Sequence, residues 1–389
     1  MLIKKKSIVL LGSSILAVAA LLVSVGLAGA IETIAREAIL IDADTGQTIL
    51  EKNADDLMPP ASMSKLMTVY ILFKRLSDGS VKLDDTFSVS ENAWRKGGAK
   101  SGSSTMFLEP GKTVKVEDLI RGIIIQSGND ACIVVAENLA GSEEAFAEEM
   151  TAKARELGMP NSTFRNATGW PDPEHRMTAR DLSTLAHRII TDFPQFYHYF
   201  SETEFTYNGI KQHNRNPLVY KDIGADGLKT GHTVEAGFGL TASARRDNRR
   251  LILVVNGLPS KKMRTVEPER LLLWGFREFN NYALFKAGET VDAAGVWLGK
   301  SKTVPLIIPR DVTITLPRRV RDKLKVAVTY QGPIPAPISK GTQIASVTIS
   351  APGRDTLQIP LVAGEDVEQL GLIGRLGAAL NSIIWGQQG

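Results

Sequence analysis

The sequence predicts an α+β, multidomain chain: a sheet with helices on both sides, then a small all-β domain, then a C-terminal amphipathic helix. Three observations lead there. Strand-like runs lie at both ends of a long helical stretch, which implies one sheet built from both termini of the first domain. Past Leu284 the composition changes to short β-branched runs punctuated by Pro and Gly. The last stretch returns to helical spacing with one wide apolar face.

Taken in order, Ala38 to Asp42 and Gln47 to Glu51 read as two strands joined by a turn at Asp44-Thr45-Gly46. Leu66 to Leu76, Val116 to Ile125, Asp130 to Ala140, Ser142 to Leu157 and Thr178 to Ile190 carry helical periodicity. Strands return at Gly237 to Ala244 and Leu251 to Asn256, turning at Arg246-Asp247-Asn248, and a helix over Val266 to Tyr282 closes the region. Val312 to Leu316, Lys325 to Tyr330, Ile344 to Ser350 and Leu357 to Val362 are the β-domain strands, with Gly332 to Pro337 as a loop. The expected divisions are 1–30, 31–283, 284–365 and 366–389.

Residues 1–30 read as an export signal. Lys4, Lys5 and Lys6 precede an uncharged run from Ser7 to Leu27, and Ala28-Gly29-Ala30 is a small-x-small cleavage site. The run is also long enough for an uncleaved anchor; either way most of the chain is expected outside the cytoplasm. The formal charge of +4 over 389 residues is small, and no basic cluster is interleaved with aromatics, so nucleic acid is not an expected partner. Cys132 is the only cysteine, which excludes an internal disulfide, and its apolar neighbours mark it as core.

The chemistry begins at Ser62 and Lys65, the one Ser-x-x-Lys pair. Pro59 and Pro60 stop a helix from extending backwards, so Ser62 falls near a helix N-terminus, where free N–H groups favour a developing oxyanion. A lysine one turn from a serine can take its proton if its surroundings keep it neutral. A helix cap beside a solvated lysine would leave the same residues, and roughly one such pair is expected by accident in a chain this long. Ser127-Gly128-Asn129 occupies a tight connection between helices, where Ser127 can relay a proton and Asn129 can hold an amide; an ordinary interhelical turn is the alternative. Lys229-Thr230-Gly231 offers fixed positive charge, a hydroxyl donor to a carboxylate and a close approach for a substrate backbone; a loop with a solvated lysine is the alternative.

Together, in this order, the three motifs resemble the Ser-x-x-Lys, Ser-Asp-Asn and Lys-Thr-Gly set of class A β-lactamases and penicillin-binding proteins, with Ser-Gly-Asn in place of Ser-Asp-Asn. The chain resembles the low-molecular-mass penicillin-binding proteins that act as serine-type D-alanyl-D-alanine carboxypeptidases in the bacterial periplasm. The resemblance rests on Pro60 to Thr68, Ser127 to Cys132 and Asp226 to Thr233, with Thr178-Ala179-Arg180-Asp181, Asn214-Arg215-Asn216, the β domain and the tail. It implies a β-lactamase/transpeptidase-like catalytic domain, with Ser62 as nucleophile and Lys65 as the base for acylation. It also implies Ser127, Asn129, Lys229 and Thr230 around them, an oxyanion hole from the N–H groups of Ser62 and His232, Arg264 on the terminal carboxylate, and Arg215 at the cleft edge. The implied partners are peptidoglycan stem peptides and β-lactams as covalent inhibitors, with no cofactor and no metal. The loop Gly169 to Arg176 departs from the better-known members, where a Gly-rich stretch precedes the Thr-Ala-Arg-Asp run.

Rival chemistries lack their signatures. There is no Gly-x-Ser-x-Gly, no His-Glu-x-x-His, and no Glu-x-x-Leu-Asn after Ser127 to activate a deacylating water as a β-lactamase would. A non-catalytic cell-wall scaffold is the other alternative. The helix expected from Val367 to Trp385 presents Leu372, Ile373, Leu376, Ala379, Leu380 and Ile383 on one face, interrupted by polar residues. It suits the surface of the inner membrane better than a span, with docking on the β domain as the alternative.

Overall fold

The computed structural model describes residues 31–377 and the backbone of residues 6–9. The expected export segment therefore lies outside the described residues apart from β1 (Lys6–Val9), and the tail beyond 377 lies outside them too. The chain divides into two compact units, one spanning Ile31–Arg277 and one containing the residues from Glu278 onward.

The first unit is organised on a five-stranded antiparallel sheet. It comprises β2 (Glu37–Asp42), β3 (Thr48–Lys52), β8 (Ala225–Thr233), β9 (Gly237–Arg246) and β10 (Arg249–Leu258), in the order β3-β2-β10-β9-β8. Two hairpins, β4 (Thr86–Ser88) with β5 (Thr113–Lys115) and β6 (Glu204–Tyr207) with β7 (Ile210–His213), lie outside it. Both termini of the unit feed the sheet, as the sequence predicts. Central β10 reads as an almost unbroken apolar run because both its faces are covered. Ile39, Ile41, Ile252 and Val254 join the main core. On the other face Leu40 and Leu251 meet Gly275, where an added Cβ would come within 2.9 Å of both.

The helices are α1 (Lys65–Ser77), α2 (Glu91–Gly97), α3 (Val116–Arg121), α4 (Asn129–Ala140), α5 (Glu143–Glu156), α6 (Ala179–Asp192) and α7 (Met263–Glu278). α1 is buried from Lys65 to Phe73 and α4 from Asn129 to Ala136, the expected state of helices without a polar face. Cys132 is among them, fully buried as expected, and burial pushes its thiol up to about 12. Asp130 at the start of α4 accepts hydrogen bonds from Thr105 Oγ1 and from the N–H groups of Met106, Leu108 and Ala131. It thereby ties an irregular segment beside the cleft to the core helix. Asp42 forms a second buried link, pairing with Arg249 at 2.7 Å.

Four boundaries differ from the sequence reading. The helix of Val116 to Ile125 becomes a π-turn over Gly122–Gln126. The helix expected to reach Tyr282 ends at Glu278, and β11 (Phe279–Phe285) pairs with β14 (Val312–Pro317). β16 (Ile334–Pro335) lies inside the expected loop and pairs with β12 (Thr290–Trp297). Val367, expected in the tail helix, is buried and bonds with Ile338, because the β unit needs a partner for that backbone.

The second unit is all-β. β15 (Lys325–Tyr330), β17 (Gln343–Ser350), β18 (Leu357–Ala363), β13 (Thr303–Ile307) and β12 pair in that order, and β1 adds to β15 in parallel. Its core alternates along each strand, as with Val326 and Val328 or Val347 and Ile349. Helical backbone resumes at 372–377, where Leu372, Ile373 and Leu376 are exposed. No helix among the described residues is long and apolar enough to cross a membrane.

Candidate active site

Ser62 belongs to a 3₁₀ turn, Ala61–Ser64, and Lys65 is the first residue of α1. The pair therefore does not sit in one α-helix as the sequence suggests. In a 3₁₀ turn residues i and i+3 eclipse, which brings the side chains closer than an α-helix would. Lys65 Nζ lies 3.0 Å from Ser62 Oγ. The turn opens at Ala61, a non-glycine residue at φ +49°.

Lys65 has no exposure at all. Burial, with Arg215 adding to it, holds the ammonium down to about 8. Its Nζ also donates to the carbonyl of Thr168, 2.5 Å away and 103 residues along the chain. That carbonyl is presented by a loop wound on Asn166, whose Oδ1 accepts from the N–H groups of Thr168, Gly169 and Trp170. Gly169, at φ +76°, lies so near the Ala61 carbonyl that a Cβ would come within 2.0 Å of its oxygen. The sequence marks the stretch from Gly169 as a loop but not the contact of Thr168 with Lys65. Asn166 with a glycine three residues on is a turn signal, but nothing local says what the turn touches.

Ser127 follows the π-turn with φ +67° and is 1% exposed. Its hydroxyl accepts from Lys229 Nζ at 2.9 Å. Lys229 is likewise buried, and burial with the neighbouring Lys65 and Arg215 holds it well below the lysine range. Asn129 is anchored through its N–H to the Ser104 carbonyl, while its buried Oδ1 has no partner among the described residues. Lys229-Thr230-Gly231 proves to be part of β8, a strand the sequence reading did not anticipate, since the one it placed from Gly237 is β9. β8 is an edge of the sheet. At Gly231 the close approach is internal: a Cβ there would come within 2.9 Å of the Pro60 carbonyl oxygen and 3.1 Å of Met63 Cγ.

These groups meet at a cleft of about 720 Å³ lined by Ser62, Ser127, Thr230, Gly231, His232, Arg215 and Arg264, among others. Ser104, Tyr220, Phe238 and Lys261 also line it and were not anticipated. No lining residue is acidic, so the cleft favours an anion. Arg264 stacks over Phe238, its Nη1 donates to the Gly231 carbonyl at 3.4 Å, and burial together with Arg215 holds it down to about 10. Arg215 reaches across to Ser104 Oγ. His232 lies against Phe238, 3.9 Å between ring centroids.

His175 is not among the residues that line the cleft. Its Nδ1 accepts from the Arg165 N–H at 3.3 Å, its ring edges against Phe164, and burial holds it down to about 4. It is neutral at ordinary pH and fixes the loop.

Residues 25–260 match the family model described as D-alanyl-D-alanine carboxypeptidase, and residues 279–369 match that of the penicillin-binding protein 5 C-terminal domain. The chain is 41% identical over 345 residues to the D-alanyl-D-alanine carboxypeptidase DacC of Escherichia coli, covering 88% of this chain and 86% of that one. It is similar to penicillin-binding protein 5 from Haemophilus influenzae, with a TM-score of 0.78 at 36% identity over 87% of this chain and 99% of that one. Penicillin-binding protein D2 from Listeria monocytogenes, solved in an ampicillin-bound form, aligns with a TM-score of 0.54 at 29% identity, covering 62% of this chain and 97% of that one. The chain belongs to the D-alanyl-D-alanine carboxypeptidase family of serine peptidases.

Proposed function

We propose that the chain removes the terminal D-alanine from peptidoglycan stem peptides through an acyl-enzyme on Ser62. The observation that carries this reading is the Lys65 amine, fully buried, held near neutrality and 3.0 Å from the Ser62 hydroxyl. In its neutral form Lys65 accepts the hydroxyl proton as Ser62 Oγ bonds to the penultimate D-alanine carbonyl. The resulting oxyanion is met by the N–H groups of Ser62 and His232. The C–N bond then breaks, and the D-alanine amine takes a proton passed from Lys65 through Ser127. Water, deprotonated in turn by Lys65, hydrolyses the ester and restores Ser62.

Lys229, Thr230 and Arg264 receive the substrate's terminal carboxylate. In the free cleft Lys229 is depressed by burial and by Lys65, so the anion has a second effect: it favours the charged ammonium and strengthens its own binding. Asn129, with its unused carbonyl oxygen, takes an amide N–H on the acyl side. A β-lactam presents a carboxylate beside a strained amide and acylates the same serine. The described residues contain no carboxylate lining the cleft to drive its rapid release.

The reading extends to location: a periplasmic enzyme held on the outer face of the inner membrane by its C-terminal helix. Exposure of Leu372, Ile373 and Leu376 supports a membrane surface over docking on the β unit. The test of the chemistry is Ser62→Ala. It should stay folded, lose labelling by a fluorescent penicillin and stop releasing D-alanine from a pentapeptide muropeptide. An adduct mapped by mass spectrometry to another serine would sink the assignment.

A further inference from the structure

Glu143 is a buried carboxylate that the chemistry above does not use. The other buried carboxylates of the first unit are compensated. Glu37, Asp42 and Glu267 pair with Arg36, Arg249 and Arg270, and Asp130 and Asp181 each accept more than one hydrogen bond. Glu143, at the start of α5, forms no ion pair among the described residues and accepts one hydrogen bond, from the Ala167 N–H to its Oε1 at 3.2 Å. Burial pushes its carboxyl above the usual range. Its neighbour Glu144, by contrast, stays exposed. A carboxylate turned inward for a single hydrogen bond costs stability, and what that bond holds is the backbone against Lys65.

The chain after Asn166 is pinned residue by residue. The Ala167 N–H goes to Glu143, the Ala167 carbonyl accepts from Thr68 Oγ1 at 2.7 Å, and the Thr168 carbonyl accepts from Lys65 Nζ. Lys65 and Thr68 belong to α1 and Glu143 to α5, so both helices grip the same short segment. Asn166 Oδ1 takes the N–H groups of Thr168, Gly169 and Trp170 but not that of Ala167; Glu143 supplies the missing acceptor. Further back, α5 holds the segment again, where Thr151 Oγ1 accepts from the Phe164 N–H at 3.0 Å.

A neutral lysine amine has two N–H bonds and one lone pair. With one N–H committed to the Thr168 carbonyl, the lone pair is left to face Ser62 Oγ, 3.0 Å away. The placing of that carbonyl therefore decides how the base is aimed, and aim governs proton transfer. We propose that Glu143 is a positioning residue for acylation: its carboxylate holds the backbone of Ala167 and Thr168 so that the Thr168 carbonyl orients Lys65 towards Ser62. The proposal rests on the reading of Ser62 and Lys65 as nucleophile and base.

The test is stopped-flow acylation of the full chain by a fluorescent penicillin at pH 9, above the titration of Lys65, so that loss of the Glu143 charge leaves the supply of neutral amine unchanged. Glu143→Ala should lower the acylation rate constant at saturating penicillin about tenfold, short of the roughly 100-fold that a displacement of about 1 Å can cost, with the affinity of the preceding non-covalent complex kept within about twofold. Glu143→Gln keeps an acceptor oxygen and should restore the rate constant to within about twofold of wild type. Thr68→Val, which frees the Ala167 carbonyl from α1, should reproduce the loss, and it probes the same clamp where Glu143→Ala does not fold. Thr151→Val loosens the segment at Phe164 instead and should leave the rate constant within about twofold. An unchanged rate constant in Glu143→Ala or Thr68→Val, an equal loss in Glu143→Gln, or a loss as large in Thr151→Val overturns the proposal. Failure of wild type to be acylated on Ser62 at all overturns the underlying reading instead.

Discussion

Acylation of Ser62 should switch on through the titration of Lys65. The amine is fully buried and held down to about 8, from 10.5 for an ordinary lysine. At pH 7 roughly 9% of it is neutral, against roughly 0.03% for a lysine at 10.5, a gain of about 300-fold in available base. Below pH 8 the second-order rate of acylation by a penicillin should fall about tenfold per unit, so the rise from pH 6 to pH 8 is about 50-fold, with a plateau above. Stopped-flow measurement with a fluorescent penicillin reads this directly. Cys132, pushed up to about 12, does not titrate in the range. Arg215 is one of the charges that lower Lys65, so Arg215→Gln should move the limb to higher pH. A rate that is flat between pH 6 and 8, or one still climbing tenfold per unit at pH 10, would refute the argument. The same shift acts on stability. Because the folded state binds this proton less well than the unfolded chain, the cost of burying Lys65 is complete below pH 8, about 3 kcal/mol, and fades as the pH rises towards 10.5.

Three further outcomes are expected. Asp130→Ala leaves the Thr105 hydroxyl and the N–H groups of Met106 and Leu108 short of their shared acceptor; urea unfolding should show a loss of about 3 kcal/mol or more. On the proposal that Arg264 meets the terminal carboxylate, Arg264→Ala should lower kcat/KM on a D-Ala-D-Ala peptide roughly tenfold or more; an unchanged value excludes that role. Truncation tests the anchor, and it must begin after Leu370, since Val367 and Gln369 bond within the β unit. The protein lacking residues from Gly371 onward should leave the membrane fraction with full peptide turnover. High salt should not release the intact form, because apolar burial dominates the binding.

Much of this molecule was legible in the order of its residues. The periodicity of α1, α4, α5 and α6, the β-branched runs of the second unit and the spacing of three short motifs depend on neighbours in sequence, which a reader of the chain can see. β8 escaped the sequence reading for a physical reason. Asp226, Gly227, Lys229, Gly231 and His232 break the alternation that marks a strand, and β8 is a strand because β9 pairs with it from Ala225 to Thr233. The tail boundary failed similarly: Val367 fits a helical face but is taken by Ile338.

The sequence alone names Ser62 and Lys65 but leaves them equally readable as a cap and a solvated side chain. What decides between these is the environment of Lys65, supplied from far along the chain. Thr168 offers a carbonyl to its Nζ, and Gly169 and Gly231 let two distant segments press on Pro60 and Ala61. A motif fixes which groups are present. Only packing removes the water that would otherwise keep the lysine charged, and that removal turns an ordinary amine into a base at neutral pH.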